Sequence, residues 1–210
     1  MVFISGGGNY LQSAPLDDLF FERCKSVLYI PIGLRRNFSG YEGCWDWFCT
    51  VCQHHNFCTA DVDMFLTLDS IGDLSQYDGI YIGGASDIHW LNSVLVNDGF
   101  AERLQTYMLA GGNIYGGSAG GVVLGHSLDL QSAKALRLLP FSVLSHYTGE
   151  NSKIISYFNK NTHPLVILQE DSGIIYDGQF IKSVGISPAR VFISIAQHIM
   201  LDNNNYFEII

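Results

Sequence analysis

Four short apolar runs punctuate the first half of the chain: VFIS at 2–5, SVLYIPI at 26–32, DGIYIGG at 78–84 and NIYGG at 113–117. They do not alternate apolar with polar residues and they run into glycine, which predicts strands buried on both faces. The segments between them are long enough for crossover helices. APLDDLFFERC (14–24), YEGCWDWFCTVCQHH (41–55) and DIHWLNSVLVNDGFAERLQTYMLAGG (87–112) carry helical spacing, the last closing on Gly111 and Gly112 as a stop. Strands alternating with helices predict an α/β fold, a parallel sheet with helices on both faces.

After about residue 125 the rhythm changes. PLVILQ (164–169), SGIIYD (172–177) and QFIKSV (179–184) are joined by ED and DG pairs, predicting a hairpin or meander at the sheet edge. No internal repeat, low-complexity tract or Pro/Ser-rich linker divides the chain, so residues 1–210 are expected to form a single domain.

Composition narrows the function. Charged residues make up 15% and hydrophobic ones 48%, which fits covered apolar elements rather than disorder. A net charge of -9 with only 11 scattered Lys and Arg argues against nucleic acid, which needs clustered cations. MVFISGGGNY lacks the basic start of a secretory signal, and no run of 18 apolar residues offers a membrane span, so a cytoplasmic location is expected. The five cysteines are accordingly expected as free thiols.

Candidate chemistry centres on GGSAG at 116–120, a G-x-S-x-G sequence between a predicted strand and a predicted short helix. A serine on such a turn is strained and exposed, and only small neighbours fit between strand and helix. The amide of Ala119 would point at whatever Ser118 attacks, reinforced by the helix N-terminus. The hydroxyl needs a base and a group to orient that base. Among seven histidines, His146 stands out, following an apolar stretch and preceding a glycine turn. Glu170, Asp171 and Asp129 are the candidate acids; Glu170 follows an apolar strand, at the end where open α/β sheets build sites. An α/β-hydrolase order of serine, acid, histidine could be met only by Ser118, Asp171 and His198, the alternative esterase reading. A non-catalytic binding or sensor protein is the alternative from another class.

Four blocks in order, IPIG (30–33), IYIGGASDIHWL (80–91), YGGSAGG (115–121) and LPFSVLSHY followed by LQEDSGIIYDGQFI, resemble the dipeptidase E (aspartyl dipeptidase) family of serine peptidases, which includes cyanophycinase. The resemblance covers about residues 26–185 and implies a three-layer sandwich like that of class I glutamine amidotransferases. It implies hydrolysis of a peptide or isopeptide bond in a small peptide, with no cofactor and no metal. It makes Ser118 the nucleophile, His146 the base and Glu170 the orienting carboxylate, with Asp129 the less favoured acid. It also places a second oxyanion donor at Gly84 or Ala85 and Ser86 near the substrate, where the family usually has asparagine. The family's arginine after the catalytic histidine, suited to an aspartyl carboxylate, is missing; HYTGENSKIISYFNKN offers only Lys153 and Lys160.

Two further signals are set lower. Cys44, Cys49, Cys52 and Cys58 near His54 and His55 suggest zinc but lack a second paired knuckle, and a crossover helix with Trp45, Trp47 and Phe48 in the core explains them. SGGGNY at 5–10 lacks a phosphate-loop lysine and reads as a loop near the substrate cleft.

Overall fold

The computed structural model describes residues 1–34, 42–97, 99–128, 134–203 and 205–209. In chain order the elements are β1 (Val2–Ser5), α1 (Tyr10–Phe21), β2 (Val27–Ile30), α2 (Glu42–His54), β3 (Val62–Met64), β4 (Gly79–Ile82), α3 (Ile88–Asn97), α4 (Phe100–Leu109), β5 (Asn113–Gly117) and α5 (Ala119–Leu124). Then follow β6 (Ser142–Leu144), α6 (Asn151–Phe158), β7 (Leu165–Ile167), β8 (Ser172–Tyr176), β9 (Phe180–Gly185), β10 (Ala189–Ser194), β11 (Gln197–Leu201) and β12 (Tyr206–Glu208). The central sheet has eight strands among the described residues, ordered β12-β9-β8-β1-β5-β4-β2-β3. The five from β1 to β3 are parallel, as the buried apolar runs predict, and β8, β9 and β12 add antiparallel strands at one edge.

Because side chains alternate across a strand, each run feeds both layers. Phe3, Tyr29, Tyr81 and Tyr115 share one register row and pack with Phe20 of α1 and Phe48 of α2. Ile4, Ile30 and Ile82 face the other way, toward Leu91 and Leu95 of α3, Leu104 of α4 and Val123 of α5. Helices on both faces make the expected three layers. No helix among the described residues is long and apolar enough to cross a membrane.

Two of the predicted elements take a different form. The segment 87–112 is two helices, α3 and α4, broken where Gly99 takes a left-handed φ of 63°, a conformation that interrupts a helix and favours glycine. Of the three late runs, SGIIYD and QFIKSV form the edge hairpin β8–β9. PLVILQ instead supplies β7 of a second, four-stranded sheet, β11-β10-β7-β6. That sheet packs on α6 through Ile154, Tyr157, Leu165, Ile167 and Phe192.

Candidate active site

The second sheet matters because of what its strand ends deliver. β6 and β7 are parallel neighbours. The chain leaving β6 reaches His146 two residues beyond Leu144, and the chain leaving β7 reaches Glu170 three beyond Ile167. The His146 amide donates to the Gly6 carbonyl at 3.0 Å, tying this loop to the end of β1. Ser118 stands at the end of β5, so side chains from two sheets meet above one edge, the carboxyl end where open α/β folds place their sites.

Ser118 has φ 51° and ψ -115°, a strained backbone for a residue with a side chain, and its amide donates to Ser5 O at 3.1 Å. Two of the glycines around it, Gly116 and Gly120, are required by close approach. A Cβ on Gly116 would lie 2.6 Å from the Gly121 backbone, and one on Gly120 would lie 2.3 Å from Ile82 O. The turn brings Ser118 Oγ to 2.7 Å from His146 Nε2, and His146 Nδ1 lies 3.1 Å from Glu170 Oε1. Both partners are about half exposed, 47% for His146 and 52% for Glu170, so the array opens to solvent.

Glu170 is therefore the carboxylate within reach of His146 among the described residues, while Asp171 accepts the Ile186 amide through its main-chain carbonyl. Asp129 lies outside the described residues. His198 stacks on Phe192 in the second sheet, with ring centres 4.7 Å apart. Ala119 is the first residue of α5, and Gly84 borders Ser118, a Cβ there lying 4.0 Å from Ser118 Cβ. Ala85 packs against Gly33. The amide of Ser86 donates to the Gly33 carbonyl at 3.1 Å, with its hydroxyl 3.4 Å from the same oxygen, and Ser86 does not line the cavity beside Ser118.

That cavity, about 310 Å³, is bounded by Ser118, His146 and Gly84 and by Tyr29, Tyr81 and Trp47. Gly7 and Gly8 of the first glycine loop also line it, in keeping with the cleft reading of SGGGNY. Trp47 corrects an expectation. It is 37% exposed and lines the cavity, whereas Phe48, one position on along α2, turns into the core. Cys44 and Cys52 are buried, Cys49 is half-buried and Cys58 exposed. Among the described residues no three His, Cys, Asp or Glu side chains gather to hold a metal ion.

One buried polar cluster was not anticipated. Asp17 of α1 is fully buried and accepts a 2.7 Å hydrogen bond from Ser13, itself a cavity residue. The buried ring of His55 lies 3.8 Å from Asp17 and 2.6 Å from the exposed Asp18. Burial pushes the Asp17 carboxyl up to about 6. The signal in the sequence was a serine four residues before an aspartate, a spacing that puts both on one helix face.

Residues 1–184 match the family model described as Peptidase family S51. No curated protein matches the chain. Among solved structures, a candidate peptidase E protein from Listeria monocytogenes EGD-e superposes with a TM-score of 0.65 at 17% identity, covering 89% of this chain and 98% of that one. At that identity the likeness establishes a shared fold, and the family match supplies the class. With 184 of its residues matched, the chain belongs to peptidase family S51, the dipeptidase E family of serine peptidases.

Proposed function

We propose that the protein cleaves a peptide or isopeptide bond in a small peptide through an acyl-enzyme on Ser118. The observation carrying this reading is the continuous contact from Ser118 Oγ through His146 to Glu170, at 2.7 and 3.1 Å, within hydrogen-bond reach at both steps. His146 Nε2 takes the Ser118 proton as Oγ attacks the carbonyl carbon. Glu170 accepts from Nδ1, fixes the tautomer and stabilises the imidazolium that forms. The oxyanion is received by the Ala119 amide and by an amide of the Gly84–Ala85 turn, each donor worth about 10² to 10³ in turnover. Of the two turn residues Gly84 is favoured, because it borders Ser118. Collapse breaks the C–N bond and passes the proton from His146 to the leaving amine. Water, deprotonated by His146, then attacks the ester and returns Ser118 to its starting state.

Labelling with a fluorophosphonate probe, with the modified peptide mapped by mass spectrometry, should mark Ser118 in the wild type and not in Ser118→Ala. Hydrolysis of a chromogenic dipeptide and ester panel should fall at least a thousandfold in Ser118→Ala and His146→Ala. Turnover that persists unchanged in Ser118→Ala refutes the mechanism, and a lethal His198→Ala beside an active His146→Ala would favour the esterase arrangement.

A further inference from the structure

We infer that the cavity beside Ser118 is a specificity pocket for a neutral aromatic or large aliphatic side chain on the residue that acylates the serine. The inference rests on Ser118 being the nucleophile. Its basis is the pleat of the central sheet. Phe3, Tyr29, Tyr81 and Tyr115 form one row on the α1 and α2 face, and the next positions on that face are Ser5, Pro31, Gly83 and Gly117. The layer above the rings therefore has almost no side-chain bulk. A Cβ on Gly83 would lie 3.5 Å from the Tyr29 ring, and one on Gly117 would lie 3.6 Å from the Tyr81 hydroxyl and 3.8 Å from the Tyr115 ring. The side chain absent at Gly117, a cavity residue, leaves room over the Tyr29 and Tyr81 rings, and Trp47 and Cys44 of α2 line the same space.

The floor is rigid. Tyr29 stacks on Phe48 with ring centres 4.1 Å apart, and Tyr81 stacks on Tyr115 at 4.2 Å. Rings fixed in this way bind an incoming ring or branched aliphatic chain by stacking, edge contact and water release. The cavity volume of about 310 Å³ is at the low end of the range for small-molecule pockets, roughly 300 to 1,000 Å³, which suits one residue rather than a long peptide.

Sheet order assigns the pocket to the acyl side. His146 sits over the end of β1, where a Cβ on Gly7 would lie 2.1 Å from its ring. Ser118 follows β5, Gly84 follows β4, and Tyr29 belongs to β2, in the spatial order β1-β5-β4-β2. The leaving amine must lie beside His146 to receive its proton. The aromatic end is on the opposite side of Ser118 and so faces the residue that stays esterified.

Charge opposes an acidic occupant. Among the described residues lining the cavity there is no lysine or arginine, and lining Ser13 is hydrogen-bonded to the buried carboxyl of Asp17. Against this aromatic floor an aspartyl side chain would lose its hydration, and it would share a wall with Ser13, whose hydroxyl is already donated to a carboxyl group. A ring meets neither obstacle.

Aminoacyl p-nitroanilides that differ only in the acyl residue test the inference on the full chain. Phe and Leu substrates should exceed the Asp substrate at least 100-fold in kcat/KM. Trp47→Ala should lower the Phe value about tenfold or more while the Asp value changes much less, and Trp47→Phe should recover most of the loss. Asp turned over as well as or better than Phe, or a Trp47→Ala loss shared equally by all substrates, overturns the pocket. Calorimetric titration of Ser118→Ala with Phe-Ala and Asp-Ala separates this failure from that of the mechanism. Selective binding of Phe-Ala supports the pocket even if Ser118 proves unreactive. Selective binding of Asp-Ala overturns the pocket whatever the serine does.

Discussion

Asp17 gives a stability prediction that is independent of catalysis. Its carboxyl is fully buried, and desolvation lifts its pKa from the ordinary 3.8 to about 6 against the opposing pull of Tyr115, Ser13 and His55, with Asp18 adding a like charge. Oδ1 has no hydrogen bond of ordinary geometry, although the Tyr115 hydroxyl is close enough to favour the ionised form. One pKa unit is worth about 1.4 kcal/mol, so holding Asp17 ionised at pH 7 costs the folded state about 3 kcal/mol. The native protein binds this proton more tightly than the unfolded chain. The contribution is therefore fully present below about pH 3.8 and lost as pH rises through about 6. Asp17→Asn keeps an oxygen to accept from Ser13 and removes the titration. The variant should match wild type near pH 4 and exceed it by about 2 to 3 kcal/mol at pH 7, a rise of roughly 5 to 10 °C in Tm for a chain of this size. Urea melts of both proteins at pH 4, 5, 6 and 7 measure the gap. A gap that stays constant with pH, or a variant that loses stability relative to wild type as pH rises, refutes the reasoning.

Two further changes test the geometry around the serine. Gly7 has φ +114°, and an added Cβ would lie 2.1 Å from His146 Cε1 and 2.6 Å from Nε2, so Gly7→Ala should push the imidazole off Ser118. We expect kcat/KM to fall about 100-fold or more, and a fall smaller than threefold would contradict the placement of His146. Ser118→Gly should be inactive yet more stable than Ser118→Ala by about 1 kcal/mol, because glycine relaxes the strain at φ 51° while alanine retains it. Equal melting temperatures for the two inactive variants would argue that the turn stores no strain.

How far the sequence reveals this architecture depends on which facts are local. The parallel core is legible because buried strands at 2–5, 26–32, 78–84 and 113–117 need no alternation, and helical segments separate them. The turn at Ser118 is legible for a similar reason, since its glycines lie beside the serine in sequence and Gly116 records a close approach to Gly121 within the turn itself. PLVILQ and SGIIYD are different. Both are continuous apolar runs, both become wholly buried strands, and nothing in their composition says that one joins the central sheet while the other pairs with β6 and β10. Periodicity reports burial, whereas sheet membership is decided by partners far away in sequence.

The same limit explains Trp47 and Asp17, and it bears on where specificity is written. Trp47 reads as core because aromatic residues on a crossover helix usually are, yet it is exposed beside a cavity whose other lining includes Gly84 and Gly117, which follow or end strands distant in sequence. Asp17 and Asp18 are adjacent and chemically alike, yet helix phase buries one against His55, just past the end of α2, and leaves the other exposed. The reactive array depends on strand ends that a short motif can mark. The pocket depends on register between β1, β5, β4 and β2, so a single substitution at Gly117, a variable position of G-x-S-x-G, alters it while leaving that pattern intact. In this chain the proposed pocket is therefore written in small residues lying over the aromatic row, which a short catalytic motif does not record.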